Sequence, residues 1–464
     1  MIALTLAEIA GIVDAELVDA DPDAVVSGTV EFDSRRVTPG GLFLAFAGER
    51  VDGHDYAGAA TAAGAVATLG TRAVPGVATL VCADVLSAVG ALAREVRARL
   101  TDLTVIGITG SSGKTTTKDL LGQLLAGLGT VVAPTGSFNN ELGLPYTILT
   151  AGRQTRYLVL EMGARGVGHI RYLCGIARPD IGVVVNVGVA HLGEFGSVDA
   201  IAAAKAELVA ALPPAGVAVL NADDPRVRAM GATSRAQVVL AGEAPDADVQ
   251  ARDVVLDERG RPAYDLVMAG ETEPVHLGVA GRHQVGNTLL AGAVAGVLGM
   301  AVPDIAAGLS DLGLVSARRM DVFDTAEGVT VIDDSYNANP ASTAAALRAL
   351  AAMSGGRRRA VAVLGYLAEL GEFERAGHEE VGRLAAEVGV DLLVVVGEPA
   401  GPIGDGAASV PSWGGKPVLA TDQAAAVAVL RDELRPGDVV LVKGSRYRTW
   451  DVADALRADR GPRP

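Results

Sequence analysis

LTVIGITGSSGKTTT, residues 103–117, decides the architecture. A Val/Ile-rich run ends at Thr109, a glycine-punctuated turn follows, and Lys-Thr-Thr-Thr opens a helical stretch. That order is the strand–loop–helix of a phosphate-binding loop. Backbone amides of Gly110, Ser111, Ser112, Gly113 and Lys114 can wrap polyphosphate oxygens, and the helix adds its positive N-terminal end. Lys114 suits the β/γ-phosphates, and the hydroxyl of Thr115 or Thr116 suits Mg²⁺. The loop is a shortened variant: the usual first glycine would fall on Ile108, and the glycines present are Gly107 and Gly110. The stretch predicts a nucleotide site on an α/β sheet.

Strands and helices alternate outward from it. RYLVLEMG, DIGVVVNVG and GVAVLNADD read as further strands. Continuous apolar runs at 157–161 and 181–187 suit parallel strands covered on both faces. Residues 101–312 therefore read as a central nucleotide-binding parallel-sheet domain. VTVIDDS, AVAVLGYL, DLLVVVGE and DVVLVKGS make 313–464 a second doubly wound, Rossmann-like domain. Residues 1–100 mix short strands with Ala-rich helices, TVEFDSRRVTPGGLFLAFAGERVDGHDYAGAA running strand, turn, strand and helix. Three domains agree with 464 residues at roughly 150 per domain.

Composition narrows the function. Half the residues are apolar, enough for sizeable cores, and the 58 glycines follow no collagen period. A net charge of −16 with only 4% aromatics argues against nucleic-acid binding. Cys82 and Cys174 show no metal or disulfide spacing, so a reducing cytoplasm is expected. The N-terminus lacks the basic region of a secretory signal. Leu120–Asn140 and Gln284–Pro303 are uncharged and near membrane length, but Gly, Pro, Asn or Gln interrupts each. Both read as buried helix plus loop, without membrane insertion.

Ligands of an open parallel sheet gather beyond the carboxyl ends of its strands. Those ends carry Glu161, then Asn186 and His191, then Asn221, Asp223 and Asp224. Glu161 suits a carboxylate leaning toward a phosphate-bound Mg²⁺. Lys205 lies on a predicted helix beside Glu207. Each residue alone has an ordinary structural reading as a cap, a solvated charge or a satisfied histidine. Only the combination opposite a phosphate loop points to chemistry.

TGSSGKTTT, SFNNELGLPYT, EMGARGVGHI, NVGVAHLGEFGSVDAIAAAKAE and DDSYNANPAS, in that order, resemble the Mur ligase family. The likeness covers essentially the whole chain, including DSRRVTPGGLFLAFAGERVDGHDY and VLVKGSR. EMGARG and NNELGLP resemble the branch that adds D-alanyl-D-alanine, and the DNPR string of the branch adding the third amino acid is absent. The resemblance implies three domains and an ATP- and Mg²⁺-dependent ligase working through an acyl phosphate on UDP-N-acetylmuramoyl-tripeptide and D-Ala-D-Ala. A monomer is expected. The alternative is a paralogous ligase taking another amine.

Residue by residue, the resemblance implies Lys114 and Thr115 at phosphate and metal, with Glu161 and His191 linked to Mg²⁺. Lys205 matches a lysine carried as a carbamate. Asn287 matches an asparagine near adenine, and Arg319 and Asp334 match contacts to phosphate and ribose. Ser34 and Arg35 match the stretch associated with the UDP end. Asn139, Asn140, Tyr336, Asn337 and Asn339 match substrate loops. Substrate-driven closure of the third domain over the phosphate loop is expected, because Arg319 and Asp334 lie far from Lys114 in sequence. Two segments depart from the family pattern: LGYLAELGE carries Tyr366 and Ala368 where relatives usually have an acidic residue and Met, and VKGSRYRTW carries a bulky Tyr447.

Overall fold

The computed structural model describes residues 1–48, 51–188 and 192–458. Its central sheet has nine strands. Thr104–Thr109 lies between Tyr157–Glu161 and Ile181–Val184, parallel to both, with Glu161 opposite Ile108 and Val184 opposite Thr109. Three strands thus end level with the start of the glycine loop. From Thr104–Thr109 the chain goes first to the edge strand Val131–Val132, then returns to insert Tyr157–Glu161 between the two. It then crosses to build the other side through Val217–Asn221 and Gln237–Gly242. That change of direction opens the crevice where ligands of such sheets bind.

Helices cover both faces, as the apolar strands require. Lys114–Leu125 and Gln284–Val297 bury Leu121, Leu124, Leu289 and Leu290 against Ile106, Ile108, Val159 and Val183. These helices carry the two uncharged stretches, and among the described residues no helix is long and apolar enough to cross a membrane. On the opposite face, Val89, Leu92 and Val96 of the helix Val85–Arg99 share a core with Leu144, Ile148, Leu158 and Leu160. The first hundred residues therefore share an apolar core with the central sheet. Their own five-stranded sheet includes Gly41–Leu44 and Ala65–Gly70, and the expected order of strand, turn, strand and helix is present.

The last sheet has six strands, with Thr330–Asp333, Val439–Lys443, Ala360–Leu364, Leu392–Val396 and Lys416–Ala420 parallel and Asp321–Asp324 antiparallel at the edge. Two details differ from the sequence reading. The central sheet is widened by Val249–Leu256, Pro262–Met268 and Glu271–His276, the last two joined antiparallel. Pro262–Met268 buries alternate residues, the mark of a strand with one covered face. The strand expected over 181–187 ends at Val184, because Asn186 turns away to bind the glycine loop.

Candidate functional site

The glycine loop is held open from two sides. Gly113 has φ +79°, and a Cβ there would sit 2.7 Å from Asn287 Oδ1, so only glycine fits. The Asn186 amide grips Ser112, accepting from its backbone N at 3.0 Å and donating to its Oγ at 3.1 Å. Ser111 Oγ accepts from Gly188 N at 2.8 Å. Lys114 opens the helix Lys114–Leu125, and its Nζ donates to Gly110 O at 2.7 Å. Asn287 braces the same helix, accepting from Thr117 Oγ1 at 3.4 Å and donating to Gln284 Oε1 at 2.8 Å.

Charge is concentrated behind the loop. Glu161 is 2% exposed at its strand end. Ser137 Oγ donates to its Oε2 at 2.9 Å, and among the described residues its Oε1 has no hydrogen-bond partner. Lys205 is buried on the helix Val198–Ala211, whose first turn Ser197 caps. Burial, and then the like charge of Lys114, push the Lys205 ammonium down to about 7. Burial likewise lowers the pKa of Lys114, opposed by the Glu161 carboxylate. Like charges acting on each other beside the loop favour an anionic ligand.

The third domain supplies the facing wall. Arg319 Nη2 donates to Thr115 Oγ1 at 3.2 Å, and its guanidinium lies 4.2 Å from the Tyr336 ring centroid. The third domain therefore reaches the phosphate loop at this contact. Asp334 forms a salt bridge with buried Lys443 and accepts from Met320 N at 3.2 Å. Lys443 Nζ also donates to Asn337 O at 3.0 Å. At Gly193 a Cβ would meet Gly371 N at 2.6 Å, so the two domains touch there backbone to backbone.

A cleft of about 770 Å³ runs between these walls. Gly110 to Thr116, Lys205, Asn287, Arg319 and Asp334 line it. Asn139, Asn140, Tyr336, Asn337 and Asn339 line it too. Asn140 Oδ1 accepts from Gly143 N at 2.8 Å, and Asn339 caps the helix Pro340–Ser354 through a reciprocal pair with Ser342, so both also shape their own loops. Glu161 lies behind Ser137 rather than in the lining. Ser34 and Arg35 are not brought to the cleft. They form a short turn in which exposed Arg35 pairs with Asp33 at 2.7 Å. His191 lies outside the described residues.

Other strand-end residues serve the framework. Asp224 caps the helix Pro225–Met230 and accepts from Val187 N at 2.7 Å. Asp223 accepts from the backbone of Glu243 and Ala244. Glu207 accepts from Gly168 N at 2.6 Å and Arg171 N at 3.0 Å, capping the helix His169–Ala177. Sequence reading missed Ser137, Lys118, His283 and Lys443. Lys118 carried a usable signal, being one helical turn from Lys114 on the same face. His283, which also lines the cleft, had none. Among the described residues no group of three or more His, Cys, Asp or Glu is gathered for a metal. The oxygen donors beside the loop are the Thr115 hydroxyl and the unsatisfied Glu161 oxygen, hard ligands of the kind Mg²⁺ takes.

Three family profiles match in chain order: Mur ligase family, catalytic domain, over residues 28–97; Mur ligase middle domain over 108–295; and Mur ligase, glutamate ligase domain, over 318–446. The chain is 50% identical to UDP-N-acetylmuramoyl-tripeptide--D-alanyl-D-alanine ligase of Mycobacterium tuberculosis, over 99% of this chain and 98% of that protein. A crystal structure of MurF from Acinetobacter baumannii superposes with a TM-score of 0.87 at 32% identity, covering 98% of both chains. The MurF ligase of Thermotoga maritima in complex with ADP superposes with a TM-score of 0.81 at 31% identity, covering 94% of this chain and 98% of that one. With its glycine loop, facing third domain and likeness along nearly its whole length, the chain belongs to the Mur ligase family.

Proposed function

We propose that this chain is an ATP-dependent amide ligase that joins D-alanyl-D-alanine to UDP-N-acetylmuramoyl-tripeptide in the synthesis of peptidoglycan precursors. One observation carries the reading: the guanidinium of Arg319 meets the hydroxyl of Thr115, 204 residues away in the chain, over a phosphate loop backed by Lys114 and Lys205. A carboxylate is a poor acylating agent, and phosphorylation provides a leaving group. The tripeptide's terminal carboxylate oxygen bonds to the γ-phosphorus of ATP as the bridging P–O bond breaks and ADP departs. The dipeptide nitrogen then attacks the acyl carbon, inorganic phosphate leaves with its oxygen, and the nitrogen releases a proton to complete the amide.

Lys114, the loop amides and Arg319 stabilise the charge that shifts between phosphates during transfer. Mg²⁺, when bound, offsets charge on the same oxygens. Thr115 and Glu161 suit it, and the family likeness adds His191 and Lys205. An amine held near pKa 7 is substantially neutral at physiological pH and can bond to CO₂, releasing a proton. The resulting carbamate would convert a buried cation into an anionic oxygen ligand. Asn287 is assigned to the adenine side, Arg319 to phosphate and Asp334 to ribose. Asn139, Asn140, Tyr336, Asn337 and Asn339 are assigned to the substrate loops, and Ser34 and Arg35 to the UDP end. Residues 1–100 would hold the UDP precursor, 101–312 ATP, and 313–464 the side facing the dipeptide. The protein would act as a cytoplasmic monomer.

Purified protein with ATP, Mg²⁺, UDP-N-acetylmuramoyl-tripeptide and a panel of amines, with phosphate release recorded, tests the reading. Release that requires D-Ala-D-Ala is the expected result. Release with a different amine only, or without any amine, overturns it.

A further inference from the structure

Lys118 is 2% exposed, a costly place for an ammonium unless its protons are taken up. It sits on the phosphate-loop helix, one turn beyond Lys114. Its Nζ donates to the carbonyl of Pro134 and to the carbonyl of Gly136, the latter at 3.0 Å. It lies 2.9 Å from Asp119 Oδ1 and 3.9 Å from Glu161 Oε1. Pro134 and Gly136 follow Val131–Val132, the edge strand of the central sheet, where the chain leaves the sheet and turns through Gly136 at φ +88°. Both carbonyls lie past the end of that strand, and the lysine takes them up.

The segment it holds leads directly into the cleft. Ser137 donates to Glu161 Oε2 at 2.9 Å, Asn139 Nδ2 donates to Ser137 Oγ at 2.9 Å, and Ser137, Asn139 and Asn140 line the cavity. We propose that Lys118 is a positioning residue that ties the substrate loop 134–140 to the phosphate-loop helix, setting the loop for the UDP-linked substrate. It acts through the loop carbonyls and touches neither substrate. This rests on the functional reading above.

The test compares wild type with Lys118→Met and Lys118→Gln in steady-state ligation, and measures UDP-N-acetylmuramoyl-tripeptide binding by calorimetry without ATP or metal. Expected is a rise of about tenfold in KM and Kd for the UDP substrate, the scale of a lost charge-assisted hydrogen bond. KM for ATP should stay within about threefold, since the loop amides and Lys114 are intact. A merely structural role would lower the active fraction without this split. Unchanged UDP-substrate affinity, or equal losses for both substrates, overturns the proposal. Should both variants fail to fold, ¹⁵N spectra of wild-type lysine side chains decide. A Lys118 ammonium protected from water exchange supports the tether, and a rapidly exchanging one overturns it. Wild-type ligation serves as the control: if it fails, the functional reading is wrong, and if it holds while the split is absent, only the tether is.

Discussion

The two walls of the cleft treat buried charge differently. In the third domain, Lys443 is countered where it stands by the carboxylate of Asp334, and Arg457 similarly meets Asp321 and Asp333 at 2.7 and 3.2 Å. In the central domain, Lys114 donates to a neutral carbonyl and opposes Lys205, a cation of the same sign. Both walls are carboxyl ends of parallel sheets, so topology does not separate them. The difference is in what completes the electrostatics. The third domain does so internally, whereas at Lys114 and Lys205 the central domain leaves it to an anionic ligand, at a cost to its own stability.

Lys114→Met should break the contrast most severely, lowering kcat/KM by about a thousandfold by removing a phosphate-directed charge. In the ligand-free protein the same change should leave resistance to urea equal or higher. A marked loss of stability would mean that Lys114 is structurally compensated after all. Lys205→Ala should cost about a hundredfold or more, with partial recovery on adding short carboxylates. Normal activity without any rescue would remove the carbamate from consideration. Asp334→Asn belongs to the paired wall and should cost about 3 kcal/mol in denaturant unfolding, because Lys443 is left buried without its counter-charge. Stability within error of wild type would erase the distinction between the walls.

The smaller effects sharpen it. A lysine whose folded pKa falls to about 7 is neutral above that value, whereas the unfolded chain keeps its proton up to about 10. Stability of the ligand-free protein should therefore rise as pH increases from about 7, by at most about 1.4 kcal/mol per pH unit from this group. Lys205→Met should lack that part of the slope, as seen in urea midpoints against pH. Gly371→Ala tests the contact between the walls: Gly371 has φ +56°, and its Cβ would lie 2.8 Å from Gly193 Cα. It should lower kcat by about tenfold or less, with ADP affinity unchanged, through about 1 kcal/mol of backbone strain and a displaced domain contact. An equal loss of ADP affinity would place the effect in the phosphate loop itself.

The departures at Tyr366 and Tyr447 look independent in the sequence, 81 positions apart. Folded, their rings pack edge to face at 5.6 Å, and the Tyr366 hydroxyl donates to Glu374. They form one local arrangement next to Ala368 and Glu369, which line the cleft. Burial raises the Tyr366 phenol to about 12, so it remains a proton donor at neutral pH.

Several features were settled by local sequence alone. The glycine loop, the helix that starts at Lys114, the apolar parallel strands and the expected place of Glu161 depend on neighbours within one turn or one strand, and a short window contains that information. The antiparallel strands beyond Val249 were not legible, because alternation over seven residues competes with the surrounding helix pattern. Nor were the uses of the acidic residues after Asn221. Capping and loop-tying Asp look the same in sequence as a ligand-binding Asp, and only their amide partners distinguish them. Which lysines are buried, that Lys118 holds the carbonyls past the edge strand, and that Arg319 reaches Thr115 were decided by tertiary structure. Desolvation and charge coupling depend on what surrounds a group in three dimensions, and here those surroundings come from segments 16 to 204 residues apart.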